Sequence, residues 1–342
     1  MVRQITNLTR ECRFCKLLGV YKVGRSQAQL RLTWFWRHVI LGRRHILSTT
    51  YTENEEPGPI MRVGMRISTP HVKNNVLHYR NGDLATTIES LARMGYDSIE
   101  LDVKHPDEVD VPELHRLLDD NGLDWCGTGT GRMWVEDGLS FTHPNPEMRR
   151  EAVARMCGII ELGAEFGAVP MIGLARFGPE GLEDPERSWG YMMDGMYACA
   201  KTAEQCGNRA VIENITRYLS PRLHTVAEVI AVLKGIGSPA LRLHYDTYHA
   251  FLEERTLYGS LVAAAPYLGY IHMSDGNREA PGWGLIDFSE VIGVLAALGY
   301  DGALVCEVLM TPDPETVARH SIQYLRGLLD KHHVKITKAV CA

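Results

Sequence analysis

From residue 61 onward the chain repeats one unit eight times: a short apolar or mixed run, then a longer segment with apolar residues at helical spacing. Strand-like runs fall at 61–68, 98–103, 125–128, 169–174, 209–213, 241–246, 269–273 and 302–308. Helical segments follow at 82–95, 111–121, 146–167, 189–206, 225–234, 257–264, 288–298 and 314–331. In the first helix Leu84, Ile88, Leu91 and Ala92 share one face, and Gly207 is placed to close the fourth. Eight strand–helix pairs in about 270 residues predict a single-domain α/β chain folded as a (β/α)8 TIM barrel over 61–333, with a short tail at 334–342. An open doubly wound sheet is the competing architecture. It usually needs fewer strands and a Gly-rich phosphate turn after the first, and no such turn is present.

The first 52 residues break this rhythm. They carry ten Lys/Arg against one acid, Glu11, and have no clean period. A polar linker follows, Glu53 to Pro59. Residues 1–60 are therefore expected to be a non-barrel N-terminal extension: a targeting peptide, a basic arm, or sequence upstream of a native start at Met61. The last is favoured, because Met61 opens the first strand directly.

Hydrophobic residues make up 45% of the chain, enough for a sizeable core, and the net charge of −6 speaks against nucleic acid as partner. The eight cysteines follow no disulfide framework and suit a reducing, cytoplasmic setting. Cys12 and Cys15 form an isolated CxxC without a second ligand pair, so zinc is not expected there. No apolar run spans a membrane: 34–41 carries Arg37 and His38, and 261–271 is broken by Pro266.

Functional groups of such barrels sit at the C-terminal ends of the strands. Four consecutive strand-like runs carry Glu213, Asp246, His272 and Glu307 at or one residue before their ends. Any one of them alone reads as a surface acid or a core histidine. Together they put three carboxylates and an imidazole at one mouth, where they need a cation or must take up protons. An oxygen-rich set with one imidazole favours Mn²⁺, with Mg²⁺ or Co²⁺ as alternatives and Zn²⁺ less suited.

At these residues the chain resembles the sugar phosphate isomerase/epimerase group, the xylose isomerase-like TIM barrels that include ketose 3-epimerases. The likeness extends to Asp246-Thr247-Tyr248-His249, to His272 followed by Arg278, to the run from Pro281 through Gly284 to Asp287 and Phe288, and to Gly95 through Glu100. The resemblance implies that Glu213, Asp246, His272 and Glu307 hold the metal, and that His249 and Arg278 contact substrate. It also implies that Glu213 and Glu307 act as an acid/base pair on opposite faces of the substrate carbon. One departure stands out: Leu219 occupies the place, six residues after Glu213, where ketose epimerases of the tagatose and psicose type often carry a second Glu. Arg217 is a further substrate-contact candidate, read equally well as a surface residue paired with an acid. Trp134 and Trp283 fit either packing or a sugar face.

The expected activity is that of an isomerase: proton transfer next to a carbonyl of a small-molecule sugar or cyclitol, through a metal-held enediolate. The alternatives are a lyase using the same intermediate and a non-catalytic sugar-binding subunit. Cleavage of abasic DNA needs additional His and Asp ligands, and the third strand, ending in Gly127 to Arg132, has no His. Relatives of this kind are often dimers or tetramers, so the resemblance implies a homo-oligomer.

Overall fold

The computed structural model describes residues 60–69, 72 and 76–334. The expectations for 1–59 and 335–342, including the Cys12/Cys15 pair, lie outside the described residues. Strands β1 (Arg62–Ser68), β2 (Ser98–Asp102), β3 (Asp124–Gly129), β4 (Val169–Ile172), β5 (Ala210–Glu213), β6 (Leu241–Asp246), β7 (Leu268–His272) and β8 (Ala303–Cys306) pair in chain order. Every pairing is parallel, and β8 returns to β1 through Arg62 opposite Ala303 and Met65 opposite Cys306. The sheet is thus a closed eight-stranded barrel, as expected from the sequence.

Ten α-helices among the described residues follow or connect the strands: α1 (Leu84–Met94), α2 (Val111–Asn121), α3 (Arg132–Val135), α4 (Pro146–Ala164), α5 (Pro185–Cys206), α6 (Val226–Ile236), α7 (Thr247–Glu253), α8 (Leu257–Ala264), α9 (Phe288–Leu298) and α10 (Pro314–Lys331). The expected bounds of α2, α8, α9, α10 and β6 coincide with those observed. Local chemistry explains the departures. Helix α5 starts at Pro185 rather than at 189, because Asp184 accepts a hydrogen bond from the Arg187 amide and Pro185 supplies the preset first turn. It closes at Gly207 with φ 70°, as its sequence position anticipated. Helix α7 was not expected. Its capping residue is Asp246, the last residue of β6, so strand and helix meet without an intervening loop.

Period-two alternation builds two apolar layers. One set of strand residues, such as Ile212, Leu243, Ile271, Leu304 and Cys306, packs into the large core shared with the helices. The other set, Cys126, Met171, Val211, Tyr270, Ala303 and Val305, forms a separate buried cluster contributed by strands alone, which is the barrel interior. Counting two residues onward from Val211, Tyr270 and Val305 reaches Glu213, His272 and Glu307. The alternation that fills the barrel therefore also turns those polar groups inward at its C-terminal mouth. Gly127 belongs to the same layer: a Cβ there would collide with the Tyr270 ring and hydroxyl, so a residue without a side chain lets Tyr270 cross the interior.

Candidate active site

Glu213, Asp246, His272 and Glu307 each present a ligand atom, and these atoms all lie within 4.8 Å of one another. All four are buried or nearly so. The donor set is three carboxylates and one imidazole, which fits a hard or borderline divalent cation better than a thiolate-selecting one.

Asp246 has two tasks. Its Oδ1 accepts hydrogen bonds from the backbone amides of Tyr248 (2.8 Å) and His249 (3.1 Å), capping α7. Its Oδ2 turns the other way, toward Arg278 Nη1 at 2.8 Å and His272 Nδ1 at 3.4 Å. Burial alone would raise the Asp246 pKa, but Arg278, His249 and His272 outweigh it and hold the group as a carboxylate.

His272 is clamped from behind. Its Nε2 lies 2.6 Å from Glu100 Oε2, and the same oxygen accepts the Tyr270 hydroxyl at 3.0 Å. Burial acts downward on the His272 pKa, but Glu100, Glu307 and Asp246 raise it well above the ordinary value, so in the metal-free protein Nδ1–H faces the cluster, 3.0 Å from Glu307 Oε2; this nitrogen is the one a cation would take in place of the proton. Glu100 is fully buried on β2.

Glu213 is differently placed. It makes no hydrogen bond as short as those of its neighbours: its Oε1 is 3.7 Å from His249 Nε2 and 3.8 Å from His244 Nδ1. Burial, then repulsion from Asp246 and Glu307, pushes its pKa up to about 8. His249 is driven down to about 4, chiefly by burial, and is neutral at pH 7. A neutral imidazole can donate or accept at a substrate hydroxyl.

Two guanidinium groups balance the carboxylates. Arg278 bonds Asp246 and Glu307, and Arg66 on β1 bonds Glu307 and Asp102 and lies 3.4 Å from Glu100. Glu307 is consequently held well below the usual carboxylate range: burial acts upward, but Arg278, Arg66 and His272 prevail. Arg278 adopts φ 65°, a left-handed conformation that aims its side chain back across the mouth. Arg66 needs the space above Gly129, where a Cβ would stand 2.6 Å from its Nη2.

The structure thus brings together all six residues singled out in sequence: Glu213, Asp246, His249, His272, Arg278 and Glu307. It leaves others outside. Arg217 is exposed and pairs with Glu253 (Nη2 to Oε2, 2.7 Å), the surface ion pair that was its alternative reading. Trp283 packs on His320 with ring centroids 4.6 Å apart, and neither it nor Trp134 lines the cavity above the cluster. Sequence reading missed Arg66, Glu100, Asp102 and His78, the last with its Nε2 3.2 Å from Asp102 Oδ2. The signal was present in β2, where Glu100 and Asp102 alternate with apolar residues in the same inward parity as the strand ends on the far side.

Residues 88–328 match the model of the xylose isomerase-like TIM barrel family. The chain belongs to that family. Among curated family members, a D-psicose 3-epimerase of Ruminiclostridium cellulolyticum is 27% identical over 228 residues, covering 64% of this chain and 76% of its own length. A 3-dehydro-D-guloside 4-epimerase of Escherichia coli is 25% identical over 251 residues, 69% of this chain and 91% of its own. The crystal structure of a D-psicose 3-epimerase with D-tagatose from Clostridium cellulolyticum superposes with a TM-score of 0.66 at 21% identity, over 78% of this chain and 99% of that one. Its relatives are epimerases, and this family member is with them an enzyme of the isomerase class. Among its described residues no helix is long and apolar enough to cross a membrane.

Proposed function

We propose that this enzyme is a divalent-metal-dependent sugar epimerase that inverts a carbon next to a carbonyl, with Glu213 and Glu307 as its acid/base pair. The observation that carries this reading is the convergence of four buried ligand atoms within 4.8 Å beneath one open cavity. Glu213, Asp246, His272 and Glu307 would hold the cation, Mn²⁺ by preference for this donor set. When bound, the cation acts as a Lewis acid toward the substrate carbonyl and acidifies the neighbouring C–H.

The chain's own groups divide the remaining work. Glu213 lines the cavity without a strong hydrogen bond of its own, so one carboxylate oxygen is available to take the proton. Once a divalent charge offsets its neighbours, the group ionises at neutral pH and positioning supplies what its basicity lacks. Glu307, on the segment after β8, would return a proton to the other face of the carbon. Arg278, Arg66 and neutral His249 line the same cavity and hold substrate oxygens, dispersing the negative charge that develops as the proton leaves. The relatives' names include epimerases of free ketoses and of an oxidised glycoside, so a sugar substrate follows from both. Free thiols at Cys126, Cys157, Cys199, Cys206 and Cys306 accord with a cytoplasmic setting.

The deciding experiment incubates Mn²⁺-loaded protein in D₂O with ketoses, keto-inositols and 3-keto-glycosides and follows each by proton NMR. Loss of a C–H signal next to the carbonyl, with appearance of an epimer, is expected for at least one compound. An eliminated product would replace epimerisation by a lyase reaction. A bound metal with no exchange on any compound would leave the acid/base assignment without support.

A further inference from the structure

The cavity above the ligand cluster has a volume of about 1060 Å³. Pockets enclosing drug-sized ligands run from roughly 300 to 1,000 Å³, so this one exceeds what a single free ketose would fill. The excess space has a direction. Glu213, His249, Arg278 and Glu307 line the part over β5 to β8, and the cavity continues across β1 to β4 to Lys104, Glu108, Arg132, Val135 and Leu174.

The far part is polar but, among the described residues, has no cation to spare. Lys104 is 3.1 Å from Glu136 and 3.2 Å from Asp137. Arg132 bonds Glu108 at 3.0 Å and Glu136 at 2.8 Å. Asp107 adds further negative charge to the same wall, and Asp102 there is already matched by Arg66. A phosphate or carboxylate on the substrate would face matched or excess acid there and gain no counter-ion. The rim, in contrast, carries apolar side chains that water does not favour: Val135 is 64% exposed, Val76 58% and Leu219 55%. Leu174 and Ile215 continue that surface inward. Apolar groups ringing a polar-floored cleft mark a ligand groove.

Building on the epimerase reading, we propose that the substrate is an uncharged keto-glycoside. Its oxidised sugar ring lies over Glu213 and Glu307, and its aglycone lies against Val135, Leu174 and Leu219. A neutral ring with hydroxyls suits the paired acids and bases of the floor, and an uncharged, partly apolar substituent suits the rim. A free ketose reaches only the floor.

The test compares phenyl and methyl 3-keto-β-D-glucopyranoside, D-fructose, D-allulose and D-fructose 6-phosphate on Mn²⁺-loaded enzyme in D₂O. The expected order of kcat/KM for C–H exchange is phenyl glycoside, then methyl glycoside, then free ketoses, with at least tenfold between first and last and no gain from phosphate. Val135→Glu should raise KM for the phenyl glycoside about tenfold. Saturation-transfer NMR with unoxidised phenyl β-D-glucopyranoside gives a readout independent of turnover: the aromatic protons should receive saturation in wild type and lose it in Val135→Glu. Free ketoses turned over as well as the glycosides would overturn the keto-glycoside assignment and leave the epimerase standing. Glycoside binding through the phenyl ring without exchange on any compound would uphold the subsite and sink the epimerase. Absence of both binding and exchange would overturn both.

Discussion

Glu100 receives His272 Nε2 at 2.6 Å from the side of the imidazole opposite the other three ligand residues. A carboxylate behind a ligating histidine fixes ring orientation and tautomer and raises the basicity of the nitrogen in front. Glu100→Gln should therefore weaken metal affinity by about 10–100-fold. Activity should return when Mn²⁺ is raised in proportion, whereas Glu213→Gln should stay inactive at any Mn²⁺ concentration. Titration of both variants with Mn²⁺, read by binding calorimetry and turnover, checks this. Equal affinity in Glu100→Gln and wild type would remove Glu100 from the role.

Metal should stabilise the fold. A ligand that binds only the native state at about 100 times its Kd adds about 2.7 kcal/mol. Thermal melts with Mn²⁺ and with chelator should differ accordingly, and Asp246→Asn should erase the difference. A Tm indifferent to Mn²⁺ in the wild type would count against the cluster as a binding site.

The pH dependence follows from Glu213. Its folded pKa, about 8 in the metal-free protein, lies above the ordinary 4.5. The native state thus holds this proton more tightly than the unfolded chain does. The group's stabilisation is complete below 4.5, declines as pH rises through the interval to about 8, and is absent above it. Metal-stripped Glu213→Gln should therefore melt higher than stripped wild type at pH 9, although it binds metal worse. Mn²⁺ binding at pH 7 should release protons, visible as a buffer-dependent calorimetric enthalpy whose Glu213 share fades above pH 8. A variant that is destabilised at pH 9 would contradict the placement of this carboxylate among its neighbours.

Arg278 has φ 65°, a conformation glycine adopts without strain. Arg278→Gly therefore removes the guanidinium while keeping the backbone comfortable. If the side chain holds substrate charge, kcat/KM should fall by about 10²-fold or more. The melting temperature of the metal-loaded protein should change little by comparison. A loss of folding without a kinetic effect in the surviving protein would assign Arg278 to structure alone.

Gly129→Ala should displace Arg66, whose Nη2 would stand 2.6 Å from the new Cβ. Because Arg66 neutralises both Asp102 and Glu307, its displacement should raise KM and lower stability together, the latter by about 1–3 kcal/mol. Steady-state kinetics and chemical denaturation of the same preparation test the pair of effects.

The parts of this molecule that were readable in sequence share a cause. Glu213, Asp246, His272 and Glu307 end apolar runs, so their polarity stands out against their neighbours, and strand parity then turns them inward. Helices α2, α8, α9 and α10 were readable because each has a polar capping residue, Asp110, Thr256, Asp287 or Asp313, directly before its apolar period. Arg66, Glu100 and Asp102 were obscured for the opposite reason. A charge inside a strand ordinarily faces solvent, and only closure of the barrel sets β1 beside β8 and turns β1 and β2 toward the mouth they share with β5 to β8. Helix α7 was hidden because its cap doubles as a strand end and its seven residues are too few to display a period.

That double use of Asp246 couples two kinds of recognition. One carboxylate oxygen anchors the first turn of α7, which carries His249, while the other faces the remaining ligand residues. A shift of this carboxylate toward a smaller or larger cation would drag the imidazole with it. Exchanging the ion thus becomes a way to retune which sugar oxygen the pocket prefers, and a lineage that changed its metal would inherit an altered substrate taste without a single substitution at the rim.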